Sequence, residues 1–146
     1  MSAQNEMLFA AERAAILRLP YVQMLGFDVV RDGAGVKGLL PFAEHLIGNP
    51  LVPALHGGVL AALLHFTAAA ELMLALKADT LPQIFTCTIE YLASPELRDC
   101  EASAEIVSIS RRFANVRVTA WQPHSGKTVA RATMQFLTNT APATPV

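Results

Sequence analysis

The stretch PALHGGVLAALLHF, residues 53–66, sets His56, Gly57 and Gly58 at the mouth of an apolar run that contains a second histidine, His65. An imidazole can take or give a proton near neutral pH, because its unperturbed pKa is about 6.5. Two glycines in the first turn of a helix leave backbone N–H groups with no side chain in front of them, at the positive end of the helix dipole. An oxyanion fits such a place. So does a loop that must pack closely on a helix start, and two glycines alone do not decide between the two.

The other groups that could do chemistry are sparse. The four histidines (His45, His56, His65, His124) lack zinc spacing, and Cys87 and Cys100 have no partner cysteine at short range. The expectation is therefore buried or half-buried free thiols, no metal site and no cofactor. Lys and Arg together number 11 against 12 Asp and Glu, a balance that argues against a chain whose main work is coating nucleic acid or an anionic membrane. The N-terminus carries Glu6 and Glu12 and no basic lead into a long apolar stretch. It does not read as a secretory signal, and a cytoplasmic address is expected.

These groups must be held by elements that the periodicity reveals. With 146 residues and 53% hydrophobic content, one core is expected. Residues 1–20 read as a packing helix, with Met7, Leu8, Ala11, Ala14, Ala15 and Leu17 on a helical period and Pro20 closing it. LGFDVVRDGAGVKGLLPF reads as strand, turn, strand about Asp32-Gly33-Ala34-Gly35, and residues 43–55 as a loop.

From His56 to about Lys77 apolar residues surround the whole helical wheel. Such a run either spans a membrane or is buried on nearly all sides. His65, Thr67 and Glu71 within it, and strands around it, favour a central helix with a sheet wrapped about it.

About four strands follow. In QIFTCTIEYL, Phe85, Cys87, Ile89 and Tyr91 alternate with Ile84, Thr86, Thr88 and Glu90. Ala102, Ala104 and Ile106, then Ala114, Val116, Val118 and Ala120, then Ala130, Ala132, Met134 and Phe136 mark three more apolar faces, rich in alanine so that a helix can lie close. The fold class is α+β with helix and sheet segregated. Residues 21–139 form the main domain, and the Ala/Thr/Pro tail, 140–146, is expected to be disordered.

His56-Gly57-Gly58 opening a long apolar helix, between a strand pair and the run TIEYLASP, resembles the PaaI-like hotdog-fold acyl-CoA thioesterases of the 4-hydroxybenzoyl-CoA thioesterase superfamily, over roughly residues 25–137. The resemblance implies an antiparallel sheet wrapped around a long central helix and an acyl-CoA substrate. It also implies subunits that dimerise into a continuous sheet, a homodimer at least and a homotetramer as the expected assembly. It implies that the Gly58 N–H, with Gly57, polarises the thioester carbonyl, with His56 beside it. Asn49 is the nearest match to an asparagine that usually contributes.

The sequence departs from the family at residue 65. The ninth residue after the motif histidine is typically an acid that activates water or attacks the carbonyl, and here it is His65. Nine helical residues rise about 13.5 Å, too far to serve the same chain's helix start, so His65 must serve a neighbour across a twofold axis. A neutral imidazole can act as the base, or His65 can be a pocket or structural residue.

Glu71 lies about 120° around the helix from His65, and its expected partner is Thr67, one turn back, or another subunit's polar group. Thr86 and Thr88 could touch the acyl group or position water. Ser110, Arg111 and Arg112, between strands, could take the phosphates of coenzyme A or form a solvated turn. Lys127 and Arg98 are weaker candidates.

The leading activity is hydrolysis of an acyl-CoA to free acid and CoA. The competing expectation, set by the missing acid, is an acyl-CoA-binding protein without turnover. HLIGNPLVP, residues 45–53, resembles the loop of hotdog 3-hydroxyacyl dehydratases, with His45 as base. The early helix acid those enzymes need is absent from residues 60–64, so this reading stands behind the others.

Overall fold

The computed structural model describes residues 3–138, with side chains from Phe9 onward. The side chains of Met7 and Leu8, and the tail from residue 139 on, lie outside what is described. The chain forms α1 (Ala3–Leu17), α2 (Pro20–Leu25), β1 (Asp28–Asp32), β2 (Gly35–Leu40), β3 (Ile47–Asn49), β4 (Val52–Leu55), α3 (Gly57–Leu76), β5 (Ile84–Tyr91), β6 (Cys100–Ile109), β7 (Phe113–Gln122) and β8 (Lys127–Leu137). Pro20 opens a short helix rather than only closing the first one, since a proline at the first helical position lacks only an N–H that would be unpaired anyway. The expected loop over residues 43–55 contains a 3-10 turn and the small hairpin β3–β4.

Six strands make one antiparallel sheet in the order β1-β2-β6-β7-β8-β5. Its inner face is the alanine-rich set expected: Ala102, Ala114, Val116, Val118, Ala120, Ala130, Met134 and Phe136 are all 0% exposed. Against it lies α3, whose Leu60, Leu63, Leu64, Ala68, Ala69, Leu72 and Met73 are equally sealed. With a mean hydropathy of 2.0, α3 is long and apolar enough to cross a membrane, but most of it is buried inside this fold. The arrangement is the hotdog fold, a sheet wrapped around one central helix.

Close approach explains the small residues. A Cβ on Gly38 would sit 1.9 Å from Thr67 Oγ1, so β2 can cross α3 there only with glycine. Thr67 donates its hydroxyl to the Leu63 carbonyl at 2.7 Å. Glu71 accepts the Val36 N–H at 2.8 Å, so it does not pair with Thr67 as expected. The β2–β6 pairing begins at Lys37, which leaves the Val36 amide for this carboxylate.

The strand β5 also differs from its expected face. A bulge between Ile84 and Thr86 shifts the register against β8. Ile84, not Phe85, therefore joins Cys87, Ile89 and Tyr91 on the helix side, while Phe85 packs on Phe113 with ring centroids 5.3 Å apart. One inserted residue moves side chains to the other face, and alternation alone does not reveal where that happens.

Candidate functional site at the tip of the central helix

His56 is the N-cap of α3 in extended conformation, and its Nδ1 accepts the Gly58 N–H at 2.9 Å. An accepting Nδ1 places the neutral ring's proton on Nε2. Gly58 is therefore engaged within its own chain, although the resemblance gives it the carbonyl-polarising part. The Gly57 N–H has no acceptor among the described residues, and the Gly57 carbonyl accepts the Tyr91 hydroxyl at 2.9 Å.

Two segments hold this tip in place. The His56 N–H donates to the Leu46 carbonyl at 3.0 Å, and the Leu55 N–H to Pro95 at 3.3 Å. β3 passes so close that a Cβ on Gly48 would lie 2.9 Å from His56 Cα.

From the tip a cleft of ≈ 300 Å³ runs along the uncovered side of α3, lined by Gly58, Ala61, Ala62 and His65 of the helix and by Cys87 and Ile89 of β5. Gly58 and His65 share this face because seven residues make nearly two full turns, about 10.5 Å along the axis. The His65 ring stacks on Phe66 and Phe136 at centroid distances of 5.0 and 6.0 Å, and its Nε2 is buried with no hydrogen-bond partner. Burial pushes the His65 pKa below its ordinary value, since desolvation disfavours the charged ring. At pH 7 it is a neutral imidazole with the capacity to accept a proton.

The other candidates lie elsewhere in the single chain. The exposed Asn49 accepts the Leu51 N–H at 3.0 Å, closing its own turn. Thr86 and Thr88 fall on the outer face of the sheet, away from α3, where Thr86 donates to Gln135 at 3.1 Å and Thr88 borders a cleft with Arg117 and Arg131. Ser110 bonds across the β6–β7 turn to Phe113, and the exposed Arg111 and Arg112 occupy that turn. This turn lies at the Ile84 end of the sheet, where Leu137 donates to Gln83, while the helix tip lies at the Tyr91 end, about 20 Å of strand away. His45 Nε2 contacts the Met24 carbonyl at 2.6 Å, which occupies that nitrogen as a donor.

Of the two thiols, Cys100 is buried as expected and pushed up to about 11 by desolvation, whereas Cys87 is exposed, because it sits on the edge strand β5. Tyr91 and Gly48 were not among the site residues read from the sequence. Tyr91 looked like one more apolar strand position, and nothing in its spacing signals that its hydroxyl meets the helix tip.

A sheet wrapped on a buried helix, with an unpaired amide at the helix tip beside an open cleft, defines a hotdog protein of the thioesterase kind. Residues 49–137 match the family described as the acyl-CoA thioesterase N-terminal domain, and the chain belongs to that family. It is 30% identical to a protein of known structure from Chromobacterium violaceum, covering 94% of this chain and 98% of that one at a TM-score of 0.69. A Shewanella oneidensis protein related to the thioesterase superfamily is 20% identical with a TM-score of 0.77, covering 94% and 99% of the two chains. Thioesterase superfamily member 2 from Mus musculus is 18% identical with a TM-score of 0.74, covering 94% and 98%. At such identities these last two likenesses speak for the fold. No curated protein matches the chain.

Proposed function

We propose that the protein hydrolyses an acyl-CoA thioester to the free acid and coenzyme A at the tip of α3. The observation that carries this reading is the unpartnered Gly57 N–H at a helix N-terminus, one residue before Gly58, which lines the same cleft as the neutral His65. Water attacks the thioester carbon, and the carbonyl oxygen gains charge where the Gly57 N–H and the helix dipole can hold it. A neutral imidazole takes the proton from water, and the carbon–sulfur bond breaks to release CoA thiolate, which is then protonated. Within one chain His65 stands about 10.5 Å along the helix from Gly58. The working site therefore combines the tip of one copy with His65 of a second, their α3 helices antiparallel across the uncovered edge at β5.

The protein acts as a homodimer at least, assembled into a homotetramer in the cytoplasm, without metal, cofactor, nucleic acid or membrane. Residues 21–139 form the working domain, with the N-terminal helix packed on it. Arg111 and Arg112, with Ser110, meet the phosphates of CoA from the second copy, and Asn49 approaches the site only if its turn opens. Thr86 and Thr88 have no part in this reading, because their face points away from the cleft.

A second reading, binding of acyl-CoA without turnover, draws on the same histidine. His65 replaces an acid and is packed between Phe66 and Phe136. Thiol release from short, medium and aromatic acyl-CoAs separates the two. Hydrolysis by the wild type that falls 100-fold or more in His65→Ala supports the imidazole base. Binding by calorimetry with no thiol release, and turnover gained in His65→Asp, would replace hydrolysis by the binding reading.

A further inference from the structure

We infer that Tyr91 is a positioning residue that aims the amides of the α3 tip, and that it does so by gripping one peptide unit together with His56. The Gly57 carbonyl and the Gly58 N–H belong to the same planar peptide, so fixing both fixes its orientation. Tyr91 Oη donates to that carbonyl at 2.9 Å, and His56 Nδ1 accepts that N–H at 2.9 Å. The tyrosine ring adds contact: its Cε1, Cζ and Oη lie 3.5 Å from where a Gly57 Cβ would be.

A grip of this kind is needed because of what the tip is made of. Two successive glycines leave the approach to the amides open but also give the backbone its widest freedom. Val59 is the first amide of α3 to find a backbone acceptor, at His56, so backbone bonding leaves the Gly57 and Gly58 N–H groups without a fixed aim. Donors aimed in advance at a developing oxyanion account for a large share of such catalysis, and loss of one typically costs about 10²- to 10³-fold. Mis-aiming a donor that is still present forfeits part of that.

Tyr91 also ends β5, the strand that carries Cys87 and Ile89 into the cleft. The same hydroxyl thus ties the wall of the cleft to the amide tip. The hydroxyl bonds the carbonyl that follows Gly57 and not the Gly57 N–H, so it acts on that donor from the neighbouring peptide and leaves the place of the substrate oxygen open.

The effect on rate rests on the thioesterase reading, whereas the effect on the peptide does not. Tyr91→Phe keeps the ring and removes the hydrogen bond. In ¹⁵N-labelled protein, hydrogen exchange at Gly58 is expected to quicken at least tenfold while the melting temperature moves by only a few degrees. With acyl-CoA, kcat is expected to fall about tenfold and KM to stay within twofold.

Unchanged exchange at Gly58 overturns the inference whatever the rate does, because a rate loss without it would mean that Tyr91 touches the substrate. Faster exchange with wild-type kcat also overturns it. If the wild type releases no thiol from any acyl-CoA, the thioesterase reading fails, and faster exchange at Gly58 still supports the grip.

Discussion

The strands β7 and β5 carry similar alternating patterns and meet different fates. In β7, Ala114, Val116, Val118 and Ala120 are all 0% exposed, because the strand lies between β6 and β8 and over α3. In β5, Tyr91 is 55% exposed and Cys87 is open, because the strand is an edge with only β8 beside it. An edge strand with an apolar inner face, next to a helix side that is also uncovered, is a place where natural proteins arrange cover. Both the cleft and His65 are on this unfinished side, while the side under β7 is sealed. The molecule thus separates the sealed part that makes the fold stable from an open part, where the proposed second chain and substrate would meet it.

The largest effect expected from this contrast is on stability. Val118→Ala removes two methyl groups from a closed layer and should cost about 2 kcal/mol in urea unfolding. Ile89→Ala on β5 should cost less than about 1 kcal/mol at low protein concentration, since its neighbours can relax into an open cleft. If a second copy covers β5, the deficit of Ile89→Ala grows as protein concentration rises while that of Val118→Ala does not. Equal losses at every concentration would mean that the two strands are equally enclosed.

The same contrast explains how much of the fold the sequence alone discloses. The buried helix, the strand sequence and the alanine faces of β6, β7 and β8 follow from local periodicity, and the structure has them. Tertiary context decided the rest. The bulge that turns Phe85 outward depends on pairing with β8, and the Glu71 bond to Val36 depends on where β2 outruns β6. His56 and the glycine pair were legible because their types and order are specific. The commitment of the Gly58 N–H to His56, which leaves Gly57 as the open amide, required seeing the ring.

A smaller effect, on the order of 1.4 kcal/mol per pH unit, concerns His65 at the boundary of the two regions. Its folded pKa lies below its ordinary 6.5 through desolvation. The neutral form therefore persists as pH falls past 6.5, and thiol release should retain more than half its rate there before dropping about tenfold per unit further down. For stability, the unfolded chain takes the proton first. The contribution from burying a neutral ring is then full above 6.5 and is lost as pH falls through the folded pKa. His65→Ala should remove that share of the acid-side loss in melting temperature. An acid limb of activity centred above 6.5, or one that persists in His65→Ala, would assign the titration to another group.

The smallest effect separates the two faces of β5 itself. Thr86 lies on the outer face and donates to Gln135 at 3.1 Å, exposed to solvent. Exposed side-chain hydrogen bonds of this kind compete with water and contribute little. Thr86→Val should therefore shift stability by less than about 0.5 kcal/mol, partly because a β-branched apolar residue suits an extended strand. With the cleft on the helix side, kcat/KM for acyl-CoA should stay within twofold of the wild type. A tenfold fall would put the acyl group against the outer face of the sheet, and the cleft along α3 would lose its claim to the substrate.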